Sequence, residues 1–207
     1  MSLIANRRSV MTLFSTIDCP QCHRVRIVLA EKDISVDIVN IDTEDKPEDL
    51  LELNPYNTVP TLIDRDLVIY EPRIMKEYLD ERFPHPPLMP VDPVSRARTR
   101  LALYRVERDW YSLVNEIESH SHKEDEAKKI LQELVIASAD IFSAKPYFLS
   151  EDFSLADATI APILWRLEHY GIDMPASTKP VQDYMKRIFD RSSFIESLTE
   201  AELELRS

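Results

Sequence analysis

Asn54–Pro90, NPYNTVPTLIDRDLVIYEPRIMKEYLDERFPHPPLMP, is the stretch on which the fold turns. Two apolar runs, Thr61–Ile63 and Leu67–Tyr70, flank the polar turn Asp64-Arg65-Asp66 and predict an antiparallel hairpin. Glu71-Pro72 then opens a helix, because proline at the first helical position loses no backbone bond and presets φ. Ile74, Met75, Tyr78 and Leu79 recur at helical spacing and predict its buried face. Pro84, Pro86, Pro87 and Pro90 cannot continue a helix, so it stops near Phe83. A proline-dense segment between differently patterned regions reads as a linker.

Upstream, Val10–Ser15 predicts a short buried strand. Cys19-Pro20-Gln21-Cys22 follows and opens a helix to about Lys32, with Val25, Val28 and Leu29 facing inward. Val36, Ile38 and Ile41 predict a second strand, parallel to the first because a helix joins them. A brief helix from Pro47 to Leu53 leads back to the hairpin. The order is β-α-β-α-β-β-α, a thioredoxin-like arrangement with Val59-Pro60 just before the third strand.

Downstream, Pro93–Ser119 reads as one long helix, with Leu101, Tyr104, Trp110, Leu113, Val114 and Ile117 as its apolar positions. Glu124–Ser143, a helix starting at the capping pattern Ser154–Asp157, Pro180–Arg191 and Thr199–Leu205 complete an all-helical half. The expected division is residues 1–84 as a thioredoxin-like domain, 85–92 as a proline-rich linker and 93–207 as a helical domain.

A chain of 207 residues can bury a core of ordinary size without a disulfide or metal staple. Its formal charge of −12 is shared by both halves: ten Lys/Arg against sixteen Asp/Glu up to residue 84, and fifteen against twenty-one after it. That balance repels phosphate backbones and argues against direct nucleic-acid binding. Arg96, Arg98, Arg100, Arg105 and Arg108 form a local exception, read first as a solvated helix face. No apolar run is long enough for a bilayer, and Arg7-Arg8 precede too short a run for a signal peptide. With only two cysteines, these features predict a cytoplasmic protein. A single glycine, Gly171, excludes a P-loop, a dinucleotide fingerprint and a glycine-rich kinase loop, so no cofactor is expected.

The candidate chemistry sits at Cys19 and Cys22. A helix N-terminus lowers the pKa of a thiol, and the spacing suits a nucleophile at Cys19 with a resolving thiol at Cys22. Two unreactive cysteines at a helix start is the competing reading, and a zinc half-site without its second pair is the weakest. His23 reads as an exposed histidine or a modulator of the thiols. His120-Ser121-His122 reads as a polar loop in preference to a metal site, and Trp110 and Trp165 as core. No catalytic triad or carboxylate pair is visible.

A thioredoxin-like half followed by a helical half resembles the glutathione transferase superfamily, on Thr58–Leu62, Glu71 and Ser154–Asp157. Tyr78–Pro90, Lys145–Ser154, Ser197–Glu202 and Arg7–Phe14 further resemble one bacterial branch of it, the stringent starvation protein A family, across the whole chain. The resemblance implies a non-catalytic homodimer that associates with RNA polymerase holoenzyme and its principal sigma factor and alters promoter use under stress. It implies partner contacts at Pro84, His85 and Pro86, and no membrane or metal. Val59, Pro60, Glu71 and Pro72 then mark a vestigial glutathione site, at a loop whose proline is cis in the superfamily it resembles. Pro72 stands where transferases carry a serine, and it supplies neither hydroxyl nor N–H. The alternative is a thiol- or glutathione-dependent transferase using Cys19.

Overall fold

A computed structural model of the chain describes residues 10–42 and 46–206, so the Arg7-Arg8 pair lies outside the described residues. The chain divides into two compact units, one of Met1–Pro86 with Glu196–Leu203, the other of Pro87–Ile195 with Glu204–Ser207.

The first unit holds a four-stranded sheet of order β2-β1-β3-β4, built from β1 (Thr12–Ser15), β2 (Asp37–Asn40), β3 (Thr61–Asp64) and β4 (Leu67–Ile69). β1 pairs parallel with β2 and antiparallel with β3, and the predicted hairpin joins β3 to β4. All four residues of β1 are buried, as expected of a central strand covered on both faces. Phe14, Leu50 and Ile63 form a core cluster, with Val39, Ile41, Leu53, Val59 and Val68 packed against it. Helix α2 (Glu48–Leu53) supplies Leu50 and Leu53, while α1 (Pro20–Glu31) and α3 (Pro72–Arg82) pack on each other.

Helix α3 is turned relative to its expected phase. Met75 and Leu79 are buried, but Ile74 is 56% exposed and the other inward positions belong to Pro72, Lys76 and Asp80. The inward stripe follows residues 72, 75, 76, 79 and 80, which is a regular helical face. Hydrophobicity alone missed it because two of its members are charged.

In the second unit the helix expected from Pro93 to Ser119 is continuous but not uniform. It runs as α4 (Pro93–Arg105), a π-helical segment (Val106–Tyr111) and α5 (Ser112–Glu118). Val106, Trp110, Tyr111, Val114 and Ile117 turn inward along it, in step with Leu103 of α4. Tyr111 then donates its buried hydroxyl to Thr159 O at 2.8 Å. Leu101 and Tyr104, expected inside, are 60% and 46% exposed, and of α4 only Leu103 is buried.

The helix expected over Glu124–Ser143 is broken into α6 (Glu124–Ala137) and α7 (Ala139–Ala144). Ser138 lies between them and turns its hydroxyl onto Leu134 O at 2.8 Å, a bond that competes with helix continuation. Helix α8 (Leu155–Arg166) begins at the predicted capping box. Asp157 accepts there from Ser154 N and Phe148 N, each at 2.8 Å, and from the Tyr184 hydroxyl at 2.6 Å. Helices α9 (Lys179–Phe189), α10 (Ser192–Ser197) and α11 (Glu200–Glu204) follow, α10 having given no clear pattern in the sequence.

Candidate functional site

The thiols lie where β1 hands over to α1. Cys19 is the N-cap residue and Pro20 the first helical position. Neither cysteine forms a disulfide, and Cys19 is half-buried and Cys22 fully buried. Burial alone would raise the Cys22 thiol. Hydrogen bonds from Cys19, the Thr16 backbone and the Ser15 side chain, with the nearby Arg26 charge, outweigh burial and bring it down to about 7. Cys19, where the sequence placed the nucleophile, is one of the groups that hold the Cys22 thiol down. Thr16 Oγ1 stands 3.9 Å from its sulfur.

Arg26 and His23 extend this cluster into a buried polar network. The Arg26 guanidinium donates to Ser15 Oγ at 2.9 Å, to Ser197 O at 2.9 Å and to both Glu202 carboxylate oxygens at 2.6 Å. His23, expected to be exposed, is fully buried, with Nε2 3.0 Å from Ser197 Oγ and Nδ1 3.6 Å from Glu202. The imidazole is inside because Ser197 and Glu202 give its two nitrogens polar partners. Thr199 N donates to Glu202 Oε2 at 3.1 Å, which caps α11 and holds the carboxylate in place.

The loop before β3 carries a cis Val59-Pro60 peptide. Buried Asn54 shapes it: Nδ2 donates to Thr58 O, Thr58 Oγ1 and Thr61 Oγ1, each at 3.0 Å, and Oδ1 accepts from Tyr56 N at 2.9 Å. At the start of α3 the first two positions offer no open amide. Pro72 is buried and has none, Arg73 N donates to the Glu71 carboxylate at 3.2 Å, and Met75 N donates to Glu71 O at 2.9 Å. Glu71 therefore turns its charge onto its own helix.

Pro84, His85 and Pro86 are all exposed, and the His85-Pro86 peptide is also cis. Phe83 O, just before the triplet, and Pro86 O, at its last residue, both accept from the Lys32 ammonium, at 2.6 and 2.7 Å. Lys32 is itself buried and pairs with Asp80 at 2.8 Å.

The remaining candidates stay apart from these groups. His120 is exposed and pairs with Glu124 at 3.1 Å, and no metal-holding cluster occurs among the described residues. Trp110 is buried and Trp165 half-buried against Phe189 and Phe194. Of the five arginines, Arg98, Arg105 and Arg108 are exposed on α4 and the π segment. No helix of the described residues is long and apolar enough to cross a membrane. Lys32, Arg26, Asn54, Ser197 and Glu202 were not singled out from sequence. The only available signal was negative, charged residues falling on inward positions of α1 and α11.

Residues 13–87 match the glutathione S-transferase N-terminal domain and residues 102–192 the C-terminal domain. A stringent starvation protein A homolog of Haemophilus influenzae is 51% identical over 97% of this chain and 96% of its own. One of Pasteurella multocida is 52% identical over 96% of this chain and 94% of its own. Among solved structures, a Tau class glutathione S-transferase from mango superposes with a TM-score of 0.82 at 24% identity, covering 96% of each chain.

Proposed function

Because the chain belongs to the stringent starvation protein A family of the glutathione transferase superfamily, we propose that it is a non-catalytic transcription regulator. In this reading it docks on RNA polymerase holoenzyme and its principal sigma factor and alters promoter use during starvation, acid or other stress. The observation that carries the reading is the exposed Pro84-His85-Pro86 triplet. Two prolines fix the backbone before contact, so little conformational freedom is lost on docking, while the imidazole offers a donor and an acceptor. Immobilised protein should retain polymerase and sigma factor from an extract of starved cells. Replacing the triplet with three alanines should abolish retention of both, and unchanged retention would defeat the assignment.

Two features oppose the thiol-transferase alternative. Pro72 removes the hydroxyl and amide that would hold a ligand carboxylate, and Glu71 occupies the next amide itself. We further propose that the protein is a homodimer joined through α4. Val94, Leu101 and Tyr104 are 59%, 60% and 46% exposed on that helix, an apolar display that a second copy would cover.

A further inference from the structure

We propose that Lys32 is the positioning residue of the docking surface, its buried ammonium holding Pro84-His85-Pro86 in the form a partner meets. The inference rests on reading that triplet as the polymerase contact.

The argument begins with what the loop lacks. Pro84, Pro86 and Pro87 have no N–H, so His85 carries the only backbone donor from residue 84 to residue 87. With a single amide to donate, such a segment has few ways to be tied down beyond its proline rings. Its carbonyls are the remaining handles, and those need a donor from elsewhere.

Lys32 is that donor. An ammonium has three N–H groups, and three acceptors converge on this one: Phe83 O at 2.6 Å, Pro86 O at 2.7 Å and Asp80 Oδ1 at 2.8 Å. The two carbonyls lie immediately before the triplet and at its last residue, so one nitrogen closes the loop into a ring. Each end of the bridge is anchored. Lys32 caps α1, with its own N–H on Val28 O at 3.1 Å. Phe83 ends α3, with its N–H on Leu79 O at 3.0 Å. The Lys32 side chain is 0% exposed and that of Asp80 9%, so the carboxylate supplies the countercharge that makes a buried ammonium tolerable. The outcome is a split of roles: Pro84, His85 and Pro86 face solvent, while Lys32 ties the loop down from inside.

The test is binding of purified RNA polymerase holoenzyme, with ¹⁵N relaxation of the His85 and Leu88 amides in the free protein. Lys32→Met alone would take this countercharge from a buried carboxylate and risks unfolding. The informative variant is therefore K32M/D80N, which removes both charges together. It should melt within a few degrees of wild type, show a mobile His85 amide and bind ten- to a hundredfold more weakly. Adding alanines at Pro84, His85 and Pro86 to K32M/D80N should weaken binding by less than the same alanines do in wild type. A merely structural lysine would not give that non-additivity. Wild-type affinity in K32M/D80N, with binding still lost on the alanine triplet, overturns the role of Lys32 and leaves the docking reading intact. If the alanine triplet binds normally, the docking reading fails instead. A His85 amide as rigid in K32M/D80N as in wild type overturns the role of Lys32 in either case.

Discussion

Glu202→Ala isolates what the chain's last helix does for the thiol-bearing half. Glu202 is fully buried, and both its oxygens lie 2.6 Å from one Arg26 nitrogen. The substitution leaves Arg26 its neutral acceptors, Ser15 Oγ and Ser197 O, each at 2.9 Å, but strips the countercharge from a guanidinium only 4% exposed. Breaking a buried pair from one side costs about 3–5 kcal/mol, against about 0–1 for a surface pair. His23 and Thr199 N lose a partner in the same step. Urea unfolding followed by far-ultraviolet circular dichroism should show a loss in that range, with Lys179→Ala, which breaks the exposed pair to Asp183, as the near-silent control. A second readout follows from the same charges. With the carboxylate gone, Arg26 acts unopposed on Cys22, whose thiolate absorbance should emerge at lower pH. A Glu202→Ala loss below about 1 kcal/mol would refute the view that this pair is desolvated and structural.

Three other outcomes are expected. The Cys22 thiol titrates near 7 in the folded chain and near 8.5 when unfolded, so folding favours its ionised form. Its stabilisation is complete above the unfolded value and lost as pH falls through the folded one. Wild type should therefore gain on the order of 2 kcal/mol over Cys22→Ser between pH 6.5 and pH 9, as read by urea midpoints; a flat difference contradicts the assignment. Calorimetric titration should find glutathione bound no tighter than millimolar, and a micromolar dissociation constant would revive the transferase reading. Leu101→Glu should convert a dimer to monomer in sedimentation velocity, and an unaltered dimer would place the interface elsewhere.

What the sequence made legible was local. Thr61–Leu67 announced its hairpin through alternating apolar runs and a polar turn, and Ser154–Asp157 announced its helix start through side chains that satisfy nearby amides. The thioredoxin-like order of elements followed from such signals. The missed features all depend on partners distant in sequence. Arg26 meets Glu202 at a separation of 176 residues and Lys32 meets Phe83 at 51, and neither spacing has a periodicity to read. His23 was mistaken for surface because burial of a polar group is decided by what awaits it inside. Leu101 and Tyr104 were misplaced for a simpler reason: both are apolar, but the inward face of their helix runs through Leu103, Val106 and Trp110.

The central claim is that a glutathione transferase framework here presents a rigid proline loop to RNA polymerase. Its most direct measurement is the affinity of purified holoenzyme for the labelled protein, wild type beside the variant with alanine at Pro84, His85 and Pro86. Saturable binding by wild type, lost in a variant of unchanged melting temperature, is the predicted result. Equal binding by the two proteins, or none by either, would contradict it.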